Sequence, residues 1–87
     1  MTGWEFEYDG HALASWSALP AEQRLHLDGI AARLVAAAEV KYPDDPEYGD
    51  PGVSALLQVA ETPWVVSYQL HRPRRRVYIV QILGPSA

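Results

Sequence analysis

Apolar and polar residues alternate every second position at both ends of this chain and recur at threes and fours between them. Trp4-Glu5-Phe6-Glu7-Tyr8 interleaves aromatic and acidic residues, the pattern of a half-buried strand with Trp4, Phe6 and Tyr8 inward. Asp9-Gly10 ends it, since both residues favour turns. Ala12 to Leu19 reads as a short helix with Leu13, Trp16 and Leu19 on one face. Pro20 either stops this helix or opens the next at its first position, where the missing N–H costs nothing. Ala21 to about Val40 is the longest helix, with a stripe of Leu27, Ile30, Ala31, Leu34 and Ala38. Gly29 in its middle costs about 1 kcal/mol relative to alanine; it marks either a close approach of another element or a tolerated imperfection. Two helices joined so tightly form an antiparallel αα-hairpin.

Three prolines and two glycines between Lys41 and Gly52 exclude regular structure there. Val53 to about Glu61 reads as a strand, although its alanines and leucines also permit a helix. Thr62-Pro63 turns the chain. Trp64, Val66, Tyr68 and Leu70 then alternate with Val65, Ser67, Gln69 and His71, and Val77 to Leu83 is rich in β-branched and aromatic residues. A hairpin follows, its tip His71-Arg72-Pro73-Arg74-Arg75-Arg76, with Pro73 presetting the turn. Pairing Tyr68 with Tyr78, Val66 with Val80 and Trp64 with Ile82 makes one continuous apolar face. The last residues, Gly84-Pro85-Ser86-Ala87, read as a loose tail. The expected architecture is α+β, in the order β-α-α-β-β-β. The αα-hairpin packs on a small, mostly antiparallel sheet, with the first strand at its edge or beside the last.

Length and composition narrow the picture. Residues 1–87 have room for a single domain, and with 48% apolar residues it has a core. The absence of cysteine excludes disulfides and thiolate metal sites and favours the cytoplasm. No apolar run reaches the ~20 residues that cross a bilayer, and Met1-Thr2-Gly3-Trp4-Glu5 lacks the regions of a signal peptide. A net charge of −4 runs against general nucleic-acid binding. Its distribution is uneven: Asp44, Asp45, Glu47 and Asp50 share one loop, and Arg72, Arg74, Arg75 and Arg76 share the hairpin tip.

That tip is the strongest polar feature. Four guanidinium groups suit phosphate or a partner's carboxylates; a solvated turn that keeps the hairpin soluble is the simpler alternative. His71 beside them is a candidate for proton transfer near phosphate, or only a turn residue. His11, His26 and His71 are too scattered for a metal site, and no cofactor is implied. The acidic loop lacks the ligand spacing of a calcium loop. No serine sits in a nucleophile context and no glycine-rich phosphate loop exists. Trp4, Trp16 and Trp64 belong to the inner face, whereas Tyr42 and Tyr48 flank the acidic loop as exposed aromatics.

The strand Trp4 to Tyr8, the helix ending in Leu19-Pro20, the long helix to Val40 and the Pro/Gly loop occur in a familiar order. With Val65-Val66-Ser67-Tyr68-Gln69-Leu70, a basic turn and Val77 to Ile82 after them, the chain resembles the RelE/ParE superfamily of bacterial type II toxin–antitoxin toxins. The resemblance spans nearly the whole chain through element order and local pattern. It implies a cytoplasmic toxin, acting on translation as a ribosome-dependent mRNA endoribonuclease or on DNA gyrase, and neutralised by a cognate antitoxin. The antitoxin segment is expected over the sheet and the groove beside the αα-hairpin, with acidic residues meeting Arg72 to Arg76. Nuclease members carry arginine on the strand before the final turn and Arg, His or Tyr near the C-terminus. Val65 to Ser67 and Gln81 to Ala87 contain none of these, so the resemblance assigns no catalytic residue. A nuclease here requires a rearranged set drawn from His71, Arg72, Arg74 and Arg75; the further alternative is a non-catalytic interaction module.

Overall fold

A computed structural model of the chain describes residues 3–43 and 52–85. Asp44, Asp45, Glu47, Tyr48 and Asp50, and the end of the tail at Ser86-Ala87, lie outside the described residues. The elements follow the expected order: β1 (Glu5–Tyr8), α1 (Gly10–Ser17), α2 (Ala21–Lys41), β2 (Leu57–Glu61), β3 (Trp64–His71) and β4 (Arg76–Leu83). The four strands form one sheet in the order β1-β4-β3-β2. β4 is antiparallel to β3 and β3 to β2, while β1 runs parallel to β4 at the edge.

Local chemistry sets the element ends. Asp9 does more than stop β1: its Oδ1 accepts from the Ala12 N–H at 2.9 Å, so it N-caps α1, which begins at Gly10. Pro20 opens α2, its carbonyl accepting from the N–H groups of Gln23 and Arg24. β2 begins only at Leu57, because the upstream segment does other work. Gly52 O accepts from Arg72 N–H, Ser54 N–H donates to Leu70 O, and Ser54 Oγ accepts from Leu70 N–H at 2.9 Å. Gly52 has φ +74 and any Cβ there would lie 2.4 Å from Pro73, so only glycine fits against the hairpin tip.

The helices cover one face of the sheet. Leu27, Ile30, Ala31 and Ala38 of α2 pack with Trp4, Trp64, Val66, Leu70, Val77, Ile79 and Ile82. At ~25 cal/mol per Å², burying one such aliphatic side chain contributes about 1.5–3 kcal/mol, and this face is what holds a chain of 87 residues together. In α1 the buried residue is Ala12, with Trp16 partly buried, as is Leu19 just beyond the helix end. Leu13 is exposed, contrary to the expectation from spacing, because the helix is rotated to place Ala12 under the sheet. Among the described residues Gly29 has no close neighbour: a Cβ would meet only Arg33 Nη1, at 3.9 Å. It is therefore an imperfection and not a contact point.

The expected hairpin register is not the observed one. Leu70 faces Val77, Tyr68 faces Ile79 and Val66 faces Ile82. Ser67 pairs with Gln81 while its neighbour Tyr68 pairs with Ile79, so Val80 is an extra residue, a β-bulge. Relative to the expected pairing, β4 is offset by one residue near the tip and by two beyond the bulge. An odd offset exchanges the faces of a strand. Val77 and Ile79 thus point to the core, and Tyr78 and Val80 go to the opposite, helix-free face; the bulge then returns Ile82 to the core.

No helix among the described residues is long and apolar enough to cross a membrane.

Candidate functional site

The hairpin tip is a four-residue loop, Arg72 to Arg75, closed by Arg75 N–H donating to Arg72 O at 3.1 Å. Arg75 has φ 50, a left-handed conformation costing a non-glycine residue roughly 1 kcal/mol. That kink lets its carbonyl accept from the Glu5 N–H at 3.0 Å, which fastens the start of β1 to the tip.

The five candidate residues of this region do not act as one patch. Arg72 turns toward the helical side, where its guanidinium lies 4.4 Å from the ring centre of Tyr42. Tyr42 is accordingly half-buried and not a free aromatic: Trp4 Nε1 donates to its carbonyl at 3.3 Å and their rings are 6.2 Å apart. Arg76 is structural. It pairs with Glu5 at 3.1 Å and Glu7 at 3.4 Å on β1, and donates to the carbonyls of Arg74 and Arg75. Arg75 forms the kink. His71, Arg74 and Arg76 all border the helix-free face, but of the five only His71 and Arg74 line its larger depression.

There the changed register assembles residues that the sequence pattern assigned elsewhere. Tyr78 lies between Gln69 on β3 and Glu7 on β1. The His71 and Tyr78 rings meet edge to face with centroids 4.6 Å apart. Arg74 Nη1 donates to the Tyr78 hydroxyl at 3.5 Å. This contact, with a smaller contribution from Glu7, raises the Arg74 pKa above its ordinary value, so the group stays cationic. Among the described residues, Arg74 has no carboxylate within ion-pair distance. Asp9, Gln69, His71, Arg74, Tyr78 and Val80 line an open depression of about 470 Å³. The available chemistry is a cation, a hydroxyl, an imidazole and a primary amide around an aromatic surface. Among the described residues no cluster of His, Asp and Glu has the makings of a metal site.

Tyr78, Gln69 and Asp9 escaped the pattern reading. The usable signal was in β4: Val77 and Ile79 are purely aliphatic, whereas Tyr78 between them carries a hydroxyl. A strand with one wet face prefers the first pair inward.

A second depression, about 400 Å³, opens on the helical side at the outer edge of β1, between Trp4, Phe6, Ala32 and Val35. Its position is set by α1 and α2. Asp28 Oδ1 on α2 accepts from the Tyr8 hydroxyl at 2.7 Å and from Trp16 Nε1 at 3.0 Å, tying β1, α1 and α2 to one carboxylate. Tyr8 and Trp16 stack at 5.5 Å, with the Arg24 guanidinium 5.2 Å from the Trp16 ring. At the other end of the sheet, Arg33 of α2 binds Glu61 of β2, with His26 3.8 Å from the same carboxylate.

No protein-family model matches the chain, and no curated protein matches it in sequence. Solved structures do. Against the intact E. coli RelBE toxin–antitoxin complex the TM-score is 0.55 at 15% identity, covering 98% of this chain and all of the matched one. An E. coli RelE double mutant in complex with an antitoxin RelB peptide gives 0.62 at 15% identity, over 99% of this chain and 87% of that one. From the first strand to the last, the chain has the α+β fold of RelE.

Proposed function

We propose that this chain is the toxin-like half of a type II toxin–antitoxin pair, bound and silenced by a cognate antitoxin and acting on the translation or gyrase machinery. The observation that carries the reading is the whole-chain likeness to RelE in complexes that contain its antitoxin. The surface supports it. The depression beside Trp4, Phe6, Ala32 and Val35 is apolar and lies against the edge of β1 that no strand among the described residues pairs, a combination that accepts an extended or helical segment through backbone pairing and side-chain burial. Arg74 on the opposite face and the neighbouring tip offer charge to an acidic continuation of that segment.

No catalytic residue is assigned. A nuclease built from His71, Arg72, Arg74 and Arg75 loses Arg72 to Tyr42, and of the rest only His71 and Arg74 line the depression at the tip end of the helix-free face.

The test is induction of the chain alone in a bacterial host. Growth should stop, and co-expression of the protein encoded beside its gene should restore it. Messenger cleavage in a translating extract or altered plasmid supercoiling would then identify the target. Unchanged growth would reject the toxin reading and leave a non-catalytic interaction module.

A further inference from the structure

The helix-free face contains a depression of which the antitoxin reading uses only Arg74, at its tip end, and its parts are arranged lengthwise. Arg74 stands at the hairpin tip. Asp9 follows Tyr8, which pairs with Ile79, so it stands at the Val80 end of the same depression. At ~3.3 Å per strand residue, Arg76 and Val80 are roughly 13 Å apart, with Tyr78 midway. The site therefore has a cation at one end, a carboxylate at the other, and the His71–Tyr78 ring pair with the Gln69 amide between them.

This polarity selects among ligands. An inorganic anion needs only the Arg74 end. An acidic peptide would bring its charge along the site toward Asp9 and, across β1, Glu7. A purely aromatic ligand leaves both charged ends unused. We propose that the depression binds a nucleoside monophosphate. The phosphate is held by Arg74 and the Tyr78 hydroxyl, and the base lies against the His71–Tyr78 pair within reach of the Gln69 amide. Asp9 accepts from ribose hydroxyls.

The flanking contacts fit that assignment. Arg76 holds Glu5 and Glu7, so the carboxylates nearest the tip are already paired. Asp9 Oδ1 accepts from the Ala12 N–H, which fixes the carboxylate in place as the cap of α1 and leaves its second oxygen for the ligand. The floor is Val80, the bulged residue. By interrupting the ladder it brings Tyr78 and Val80 to this face while Ile79 and Ile82 remain in the core. A base–aromatic contact and one charge-assisted phosphate contact contribute most of the affinity of such a site. Neither requires a strongly basic protein, which reconciles the site with the acidic net charge.

The same moiety arrives either free or at the 5′ end of an RNA strand, and the experiment separates the two. The purified chain is titrated by calorimetry and amide NMR with adenosine 5′-monophosphate, guanosine 5′-monophosphate, adenosine, inorganic phosphate and a 5′-phosphorylated octaribonucleotide. Binding of at least one monophosphate or of the oligonucleotide is expected, with shifts centred on Gln69, His71 and Tyr78, and with adenosine and phosphate each much weaker. Whichever of the mononucleotide and the oligonucleotide binds more tightly names the source. Arg74→Gln should weaken binding about tenfold or more, because one charge-assisted contact is lost. Tyr78→Phe should weaken it about threefold, since it keeps the ring and loses the hydroxyl. Arg33→Gln, on α2, should leave it unchanged. Both Arg74 and Arg33 are exposed, so these variants fold, and unchanged thermal midpoints verify it. No saturable binding by any nucleotide, equal binding by Arg74→Gln, or shifts centred on another surface would overturn the proposal. Its outcome is independent of the growth assay: a chain that never arrests growth still has this depression, and a toxin need not fill it.

Discussion

Replacing Asp28 with alanine tests how the helices are fixed to the sheet. The carboxylate accepts from the Tyr8 hydroxyl at 2.7 Å and from Trp16 Nε1 at 3.0 Å, joining β1, α1 and α2. A hydrogen bond to a charged acceptor contributes ~1.5–3 kcal/mol when buried. Here the site is only half-buried, so the lower end applies, giving about 3 kcal/mol for two bonds. Alanine regains roughly 0.5 kcal/mol through its better helix propensity. The expected net loss is about 2.5 kcal/mol; at ~4–8 °C per kcal/mol for a domain of this size, the thermal midpoint falls by roughly 10–20 °C. Circular dichroism melts measure it directly. Asp28→Asn keeps an acceptor without the charge and should cost about half as much. Crossing Asp28→Ala with Tyr8→Phe should show a coupling of ~1 kcal/mol, because each variant removes the same bond. A loss below ~0.5 kcal/mol in Asp28→Ala, or strict additivity in the cycle, would refute the idea that this carboxylate joins the three elements.

Three further outcomes follow. Gly29→Ala should stabilise the protein by about 1 kcal/mol, read in the same melts, because the added methyl meets only the end of Arg33 and the helix gains propensity. Gly84→Ala should destabilise it by ~1–3 kcal/mol and alter tryptophan fluorescence, since the new Cβ would overlap the Trp64 ring, 2.1 Å from Cζ3. Burial first, and then the hydrogen bond to Asp28, push the Tyr8 phenol above its ordinary range. The folded state thus holds a proton that the unfolded state releases above about pH 10, so this contribution is complete below pH 10 and declines as pH rises beyond it. Alkaline denaturation of Tyr8→Phe should show a shallower decline there.

What was legible depended on which interactions carry the information. Element order could be read because the periods of two and 3.6 are local, and the α2 stripe of Leu27, Ile30, Ala31 and Ala38 is legible for that reason. The hairpin register could not. It depends on a left-handed Arg75 where glycine would be the usual signal, and on a bulge at Val80 that no residue type announces. Both features act on the same side chains, and together they move Tyr78 from the expected core to the helix-free face. The arginine cluster could be seen as a cluster, but its division could not. Arg72 is drawn away by Tyr42, 30 positions earlier in the chain, and Arg76 by Glu5 and Glu7 at the opposite end. The double role of Asp9 was closer to hand, since an aspartate before a helix is a capping signal.

The central claim is that a partner segment occupies the groove at the β1 edge. Calorimetric titration of the purified chain with the protein encoded beside its gene tests it most directly, using wild type and Ala32→Glu, an exposed α2 position that lines the groove. Tight binding by wild type, weakened at least about tenfold by the buried charge, is the predicted result. Absence of binding by wild type, or equal affinity in Ala32→Glu, would contradict the account.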